Sequence, residues 1–141
     1  MSSLYLDIIT QDHQVLSETI DKISAPAVMG EVTILPGHIP LFTRLDDGIL
    51  KIWHEKSYKE LALVGGFMDV GPGNKITVMA DSAILAEAAD EHKAEIAKKK
   101  AEEAMKDQKS EFEFRQAEIS LRKALMELRV ARRRHSRNTG I

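Results

Sequence analysis

The first 86 residues alternate. Leu4, Leu6 and Ile8 are separated by Tyr5, Asp7 and Ile9, the period-two pattern of a strand with one face in a core. Further short apolar runs follow: EVTIL, ILKIW, ELALVGGFMDV and KITVMA, parted by LPGHIP, LDDG and GPGN. Many short strands between turn signals predict a sandwich or barrel. Pro36 and Pro40 hold Leu35 and Ile39 away from helical geometry and bracket a loop. Gly73-Asn74 suits a hairpin turn that needs positive φ. Gly65-Gly66 lies inside an apolar run, which reads as a bulge or a close backbone approach rather than a ligand loop.

Past residue 86 the period becomes helical. Ala94, Ala97, Ala101, Ala104 and Gln108 recur at intervals of three or four, and so do Ala117, Leu121, Ala124, Leu128 and Ala131. The polar DQKSEFEF segment between them supplies a turn, with Asp107 and Ser110 as candidate caps. Residues 1–86 therefore form a β-sandwich domain and residues 87–141 an antiparallel two-helix hairpin, an α+β chain in which the strands come first. Alanine seams bury little: each buried CH₂ contributes only about 0.8 kcal/mol. Ile119, Met126 and Val130 form a second apolar set off the main stripe. A weak seam and a spare apolar face predict a hairpin that can open and dock elsewhere.

Composition sharpens this division. Seven of the eight glycines and all four prolines precede Asp81; Gly140 is the exception. Residues 1–86 carry six bases and eleven acids, residues 87–141 fourteen bases and eleven acids, for a formal net charge of −2 overall. That balance gives no general reason to bind nucleic acid. No cysteine is present, which removes disulfides and thiolate chemistry. No apolar run approaches the roughly 18 residues of a membrane span, and the opening MSSLYLDIIT has no secretory pattern.

Candidate chemistry is sparse. His13, His38, His54, His92 and His135 show no metal-ligand spacing, and neither a GxxxxGK[ST] nor a GxGxxG loop occurs. No convergent set of catalytic groups is visible, so an enzyme acting on small carbohydrates or nucleotides is the weakest reading. His38 reads as a turn residue; a functional role would need a carboxylate partner, and Glu31 is the one in sequence reach. Trp53 reads as a packing residue. Lys98–Lys100 are flanked by glutamates and read as a solvated helix face. The C-terminal run Arg122, Lys123, Arg129, Arg132, Arg133, Arg134 and Arg137 is opposed only by Glu127. That excess exceeds helix-dipole compensation and points to an acidic partner surface; nucleic acid is disfavoured because the segment lacks stacking aromatics.

The residues Gly30-Glu31-Val32-Thr33-Ile34-Leu35-Pro36-Gly37-His38-Ile39-Pro40-Leu41 resemble the GExxILPGHxPL signature of the epsilon subunits of bacterial F-type ATP synthases. In order along the chain, Gly65–Val70, Gly73-Asn74, Thr77–Asp81 and Ala124–Val130 resemble the same family. The resemblance implies a ten-stranded β-sandwich with a C-terminal helical hairpin, and a non-catalytic place in the rotating central stalk, bound to gamma and seated on the c-ring. It implies c-ring contact through Glu31, Gly37 and His38, and a hairpin that extends along gamma to inhibit hydrolysis. Arg129, Arg132, Arg133 and Arg134 would then meet acidic segments of the catalytic beta subunits, and Met126 and Val130 would meet gamma. The implied location is peripheral, on the cytoplasmic face of a bacterial plasma membrane, coupled to protons or sodium ions. Some relatives bind ATP on the hairpin through (I/L)DxxRA. Here Asp90 and Ala94 are kept, but Lys93 replaces the arginine and Ala89 the leading Ile/Leu. Lys93 cannot make the arginine's planar fork, so Asp90 and Lys93 predict weak ATP binding or none, and no other cofactor is implied. An adaptor with an unrelated helical tail is the alternative reading.

Overall fold

The computed structural model describes residues 3–107 and 110–138. The chain divides into two compact units, Met1–Leu85 and Ala86–Ile141.

In the first unit the alternating segments become ten strands: β1 Leu4–Ile9, β2 Gln14–Ile20, β3 Lys22–Ala27, β4 Gly30–Ile34, β5 Leu41–Arg44, β6 Gly48–His54, β7 Ser57–Val64, β8 Phe67–Val70, β9 Lys75–Met79 and β10 Ser82–Leu85. They form two five-stranded sheets ordered β2-β1-β9-β8-β5 and β10-β7-β6-β3-β4. β1 and β9 pair in parallel; the other pairings between these strands are antiparallel. The inward positions of both sheets make one core, including Leu6, Ile8, Ile23, Ile34, Leu50, Ile52, Leu61, Leu63, Met68 and Val78, each at most 1% exposed. Removing one such aliphatic side chain from water contributes about 1.5–3 kcal/mol.

The run ELALVGGFMDV is two strands in different sheets, not one. β7 ends at Val64 in the second sheet, and β8 begins at Phe67 in the first. Gly66 makes the crossing with φ 111°, and a Cβ there would lie 2.1 Å from the Met79 carbonyl oxygen. Backbone thus passes so close to backbone that no side chain fits. The Asp47 carboxylate accepts the Gly65 N–H at 2.9 Å and completes the corner.

The second unit opens with a single 3₁₀ turn, Ala86–Ala88, followed by α1 Glu91–Lys106 and α2 Glu111–Asn138. Asp90 caps α1, its carboxylate accepting the Lys93 N–H at 3.0 Å. Asp107 is the C-terminal cap residue of α1. Ser110 caps α2, accepting the Glu113 N–H at 3.1 Å. On α2 the expected stripe is the buried one: Ala117, Ala124, Leu128 and Ala131 are buried and Leu121 is half-buried.

On α1 the stripe needs correction. Ala94 and Ala101 are buried, but Ala97 and Ala104 are exposed, and Lys98 and Met105 are half-buried instead. Both sets contain residues 94 and 101, so three- and four-residue spacing alone could not choose between them. The helix rotates toward the longer side chains, whose methylene stems cover more apolar surface than a methyl. Ala97 and Ala104 line an open groove of about 440 Å³ with Ala101, Phe112 and Ala117. Gln108, expected to end the stripe, lies outside the described residues.

Candidate functional site

Glu31 lies in β4 rather than in the loop that follows it. Its neighbours come from register: Ser24 pairs with Thr33 and with Lys51, so Lys51, Ser24, Thr33 and Glu31 share the outer face of the second sheet. The buried Ser24 hydroxyl donates to the Glu31 carboxylate, and the Lys51 ammonium stands 3.7 Å away. Together, the hydroxyl first, they hold the Glu31 carboxyl below the usual carboxylate range. The side chain is still 58% exposed, so an ionised carboxylate is displayed in a fixed orientation.

The loop at 35–40 lies beyond the other end of β4. Three residue steps along the strand, about 10 Å, carry the chain from Glu31 to Ile34 before the loop begins. Glu31, Gly37 and His38 are therefore not one cluster. His38 has its own partners: its N–H donates to the Leu35 carbonyl at 3.2 Å, and its Nδ1 bonds the Ile39 carbonyl at 2.6 Å. Gly37, at φ 86°, donates its N–H to the Asn74 side-chain oxygen at 2.7 Å. Asn74 is itself at φ 62°, and its carbonyl accepts the Tyr5 N–H at 2.8 Å. One asparagine thus ties the loop, the β8–β9 turn and the start of β1 together. The tied loop presents Leu35 and Ile39 to solvent.

A third surface was missed by the sequence reading. Phe42 of β5 and Phe67 of β8 stack with ring centroids 5.5 Å apart on the outer face of the first sheet. Phe67 pairs directly with Met79 of β9. Phe42 is 62% exposed, Phe67 44% and Met79 37%, so an apolar row crosses three strands in the open. The signal lay in the alternation. In LFTR and FMDV the aromatic occupies the solvent-side position, where a polar residue would be the ordinary choice. Trp53, by contrast, is a half-buried packing residue, tilted on Tyr58 at 5.2 Å with the Lys22 ammonium over its ring.

The basic end of α2 is partly committed within the hairpin. Arg132 donates to Glu91 and Glu95 of α1, at 3.2 and 2.7 Å. Arg134 donates to backbone carbonyls at the 3₁₀ turn. Arg129 and Arg133 are exposed, and with Lys98, Arg132 and Arg137 they line an open groove of about 590 Å³ over Leu125 and Leu128. Met126 and Val130 are buried, so in this conformation neither presents a free surface.

Asp90 and Lys93 sit in the first turn of α1, where capping is the visible task of Asp90. The Lys93 N–H lowers the Asp90 carboxyl below its ordinary range. Glu127 of α2 is pushed above its ordinary range by burial and then by the Asp90 charge, while Lys93 opposes the shift. A candidate phosphate cradle here therefore contains two carboxylates and one ammonium, a poor balance for a polyanion. Among the described residues, no three of His, Asp or Glu are placed to hold a metal ion, and no helix is long and apolar enough to cross a membrane.

Comparison with known proteins covers both units in order. The family described as "ATP synthase, Delta/Epsilon chain, beta-sandwich domain" matches residues 3–86, and "ATP synthase, Delta/Epsilon chain, long alpha-helix domain" matches residues 90–132. The chain is similar to the ATP synthase epsilon chain of Dehalococcoides mccartyi, 43% identical over 100 residues, covering 71% of each chain. It is 44% identical over 95 residues to that of Herpetosiphon aurantiacus, covering 67% of this chain and 69% of the relative. Among solved structures, a chain of the Euglena gracilis mitochondrial ATP synthase, in an assembly of OSCP, F1 and c-ring, superposes with TM-score 0.67 at 25% identity, covering 86% of this chain and 77% of that one. A chain of the Tetrahymena thermophila mitochondrial central stalk and c-ring shares the fold, with TM-score 0.54 at 15% identity, covering 62% and 70%.

Proposed function

The chain belongs to the ATP synthase delta/epsilon family, and from that premise we propose that it is a non-catalytic subunit of the central stalk of a rotary ATP synthase, joining a gamma subunit to the c-ring. The observation that carries this reading is the match of both units, in chain order, over 3–86 and 90–132. The Euglena assembly that contains the similar chain also contains F1 and the c-ring, which supports the same placement.

Each surface then has a task. Glu31 meets basic polar loops of the c-ring, where its ionised carboxylate confers orientation more than affinity. Gly37 and His38 shape a separate touching point, the Asn74-tied loop with Leu35 and Ile39 at its surface. The exposed row Phe42, Phe67 and Met79 is the surface gamma covers in the closed state. Met126 and Val130 reach gamma only after the hairpin opens, because both are buried here. Open, the hairpin inhibits hydrolysis by placing Arg129, Arg132, Arg133 and Arg134 on acidic segments of the catalytic beta subunits. The subunit works at the cytoplasmic face of a bacterial plasma membrane, as a peripheral component. Asp90 and Lys93 bind ATP weakly or not at all.

Co-purification with gamma is the deciding experiment. Capture of gamma by the parent chain, lost in a Phe42→Ser/Phe67→Ser variant, supports the reading and its interface. Capture that survives both changes moves the interface elsewhere. No capture by the parent chain sinks the central-stalk reading in favour of an adaptor with an unrelated tail. In the assembled complex, replacing Arg129 and Arg133 by alanine should raise ATP hydrolysis; unchanged hydrolysis with normal assembly removes the inhibitory role.

A further inference from the structure

The arginines at the end of α2 differ in what they touch. The Arg134 guanidinium donates to three backbone carbonyls: Ala86 at 2.8 Å, Glu87 at 2.9 Å and Ala89 at 3.3 Å. These oxygens sit where the 3₁₀ turn stops and before Asp90 starts α1; the Ala86 oxygen also accepts the Ala89 N–H at 3.2 Å, and a carbonyl's second lone pair leaves room for the guanidinium. A guanidinium offers five donors in a planar fork and can serve such a set at once; an ammonium is a point donor. Two residues earlier, Arg132 grips the other helix. Its Nε lies 3.2 Å from Glu91 and its Nη2 2.7 Å from Glu95, two carboxylates one turn apart on α1.

We infer that Arg134 is the latch of the closed hairpin and Arg132 its weaker second catch. Both fasten the far end of α2 to the start of α1 and to the segment just before it. They act at the end of the seam where α1 contributes only Ala94 and the half-buried stem of Lys98, and α2 contributes Leu128 and Ala131. The helices cannot separate without releasing the three carbonyls and the two carboxylates.

The catches differ in kind. The acceptors of Arg134 are amide carbonyls, so its grip does not depend on which side chains stand at 86, 87 and 89. The acceptors of Arg132 are half-exposed carboxylates, so its grip is screened by salt. The latch rests on the movable-hairpin reading above and gives it a control point. Arg132 and Arg134 hold the closed state, so an acidic partner that recruits them must compete with the latch, and binding is thereby linked to opening.

The test uses the full chain, which contains no cysteine. Cysteines at the exposed positions His92 and Lys123 carry spin labels, one on each helix and neither in contact with the latch as described. Pulsed dipolar spectroscopy then reads the distance distribution. Arg134→Gln and Arg134→Lys should each raise the separated population by about ten-fold, in keeping with the loss of charge-assisted hydrogen bonds. Arg132→Gln should raise it less, and only at low salt. If Arg134→Gln lowers helix content, the lysine variant decides, because it keeps the charge and the stem. A parent-like distribution in Arg134→Lys and Arg134→Gln overturns the latch, whatever hydrolysis does. A raised separated population upholds the latch, and the inhibitory reading is judged apart from it by the Arg129→Ala/Arg133→Ala variant, which leaves Arg132 and Arg134 in place.

Discussion

The sandwich fills its interior with Leu, Ile, Val and Met at almost no exposure, whereas the hairpin's inner positions are chiefly Ala94, Ala101, Ala117, Ala124 and Ala131, with Leu128 as the fully buried large side chain on that stripe. Each large aliphatic contributes about 1.5–3 kcal/mol on burial, and each alanine methyl nearer 0.8. The sandwich is thus held by volume. The hairpin is held by a seam of small side chains around Leu128, to which caps and a few polar catches add interactions that can be exchanged for others of similar strength. A unit built on volume suits the fixed docking surfaces proposed for Glu31 and the Phe42–Phe67 row, and a unit built on exchangeable contacts suits the proposed switch.

The contrast can be broken at its strongest point first. Gly66→Ala forces a Cβ to within 2.1 Å of the Met79 carbonyl oxygen, at a φ that alanine rarely adopts. A loss of about 3 kcal/mol or more is expected, read as a lower urea midpoint for the sandwich transition. Leu63→Ala removes a fully buried side chain at the centre of the same unit. It should cost about 3 kcal/mol, while Ala124→Gly in the hairpin should cost about 1 kcal/mol. Equal losses at the two sites would erase the distinction between the units. Ser110→Ala deletes the α2 cap and should lower helix stability by about 1 kcal/mol, with Ser110→Asp restoring it; a silent alanine variant would show that the cap does not contribute.

The smallest effect sharpens the picture through pH. Burial and the Asp90 charge raise the Glu127 carboxyl above its ordinary 4.5, so the folded hairpin binds that proton more tightly than the unfolded chain does. Its stability should therefore rise as pH falls through the raised pKa and level off below the ordinary value. Above the raised pKa, ionised Glu127 is a standing penalty. Glu127→Gln should stabilise the hairpin slightly at pH 7 and leave it unchanged near pH 4, measured by thermal melts of helix signal. A destabilised variant at pH 7 would mean that the charge of Glu127 helps rather than hinders.

The fold was legible where one face of an element is buried. Leu4, Leu6 and Ile8 alternate because alternate positions enter the core, and the α2 stripe from Ala117 to Ala131 repeats because one side of that helix is inside. It was less legible where two registers shared residues, as with Ala97 against Lys98, and where a single apolar run changed sheets at Gly66. Of the candidate site, the residues of the Glu31 motif were visible in the chain, but their separation was not. Glu31 was the carboxylate in sequence reach of His38, and the strand through Ile34 carries the two apart. The Ser24–Lys51 setting of Glu31 depends on pairing across β3, β4 and β6, which local pattern does not encode. The hold of Arg134 on the 3₁₀ turn was not legible for a related reason: its partners are carbonyls, which every residue carries.

The parallel pairing of β1 with β9 also sets an order of events in time. Tyr5 must wait for Lys75, and Ile9 for Met79, so the first sheet has no middle until about 70 further residues have left the ribosome. Closing so long a loop is slow, whereas the two helices join neighbours in sequence and need no such delay. Until β9 arrives, the β1–β2 hairpin carries an unpaired edge rich in Leu and Ile, open to any other strand that meets it. The same topological link that fixes the finished sandwich makes the nascent chain vulnerable, and it places the period of greatest aggregation hazard late in synthesis of the first unit.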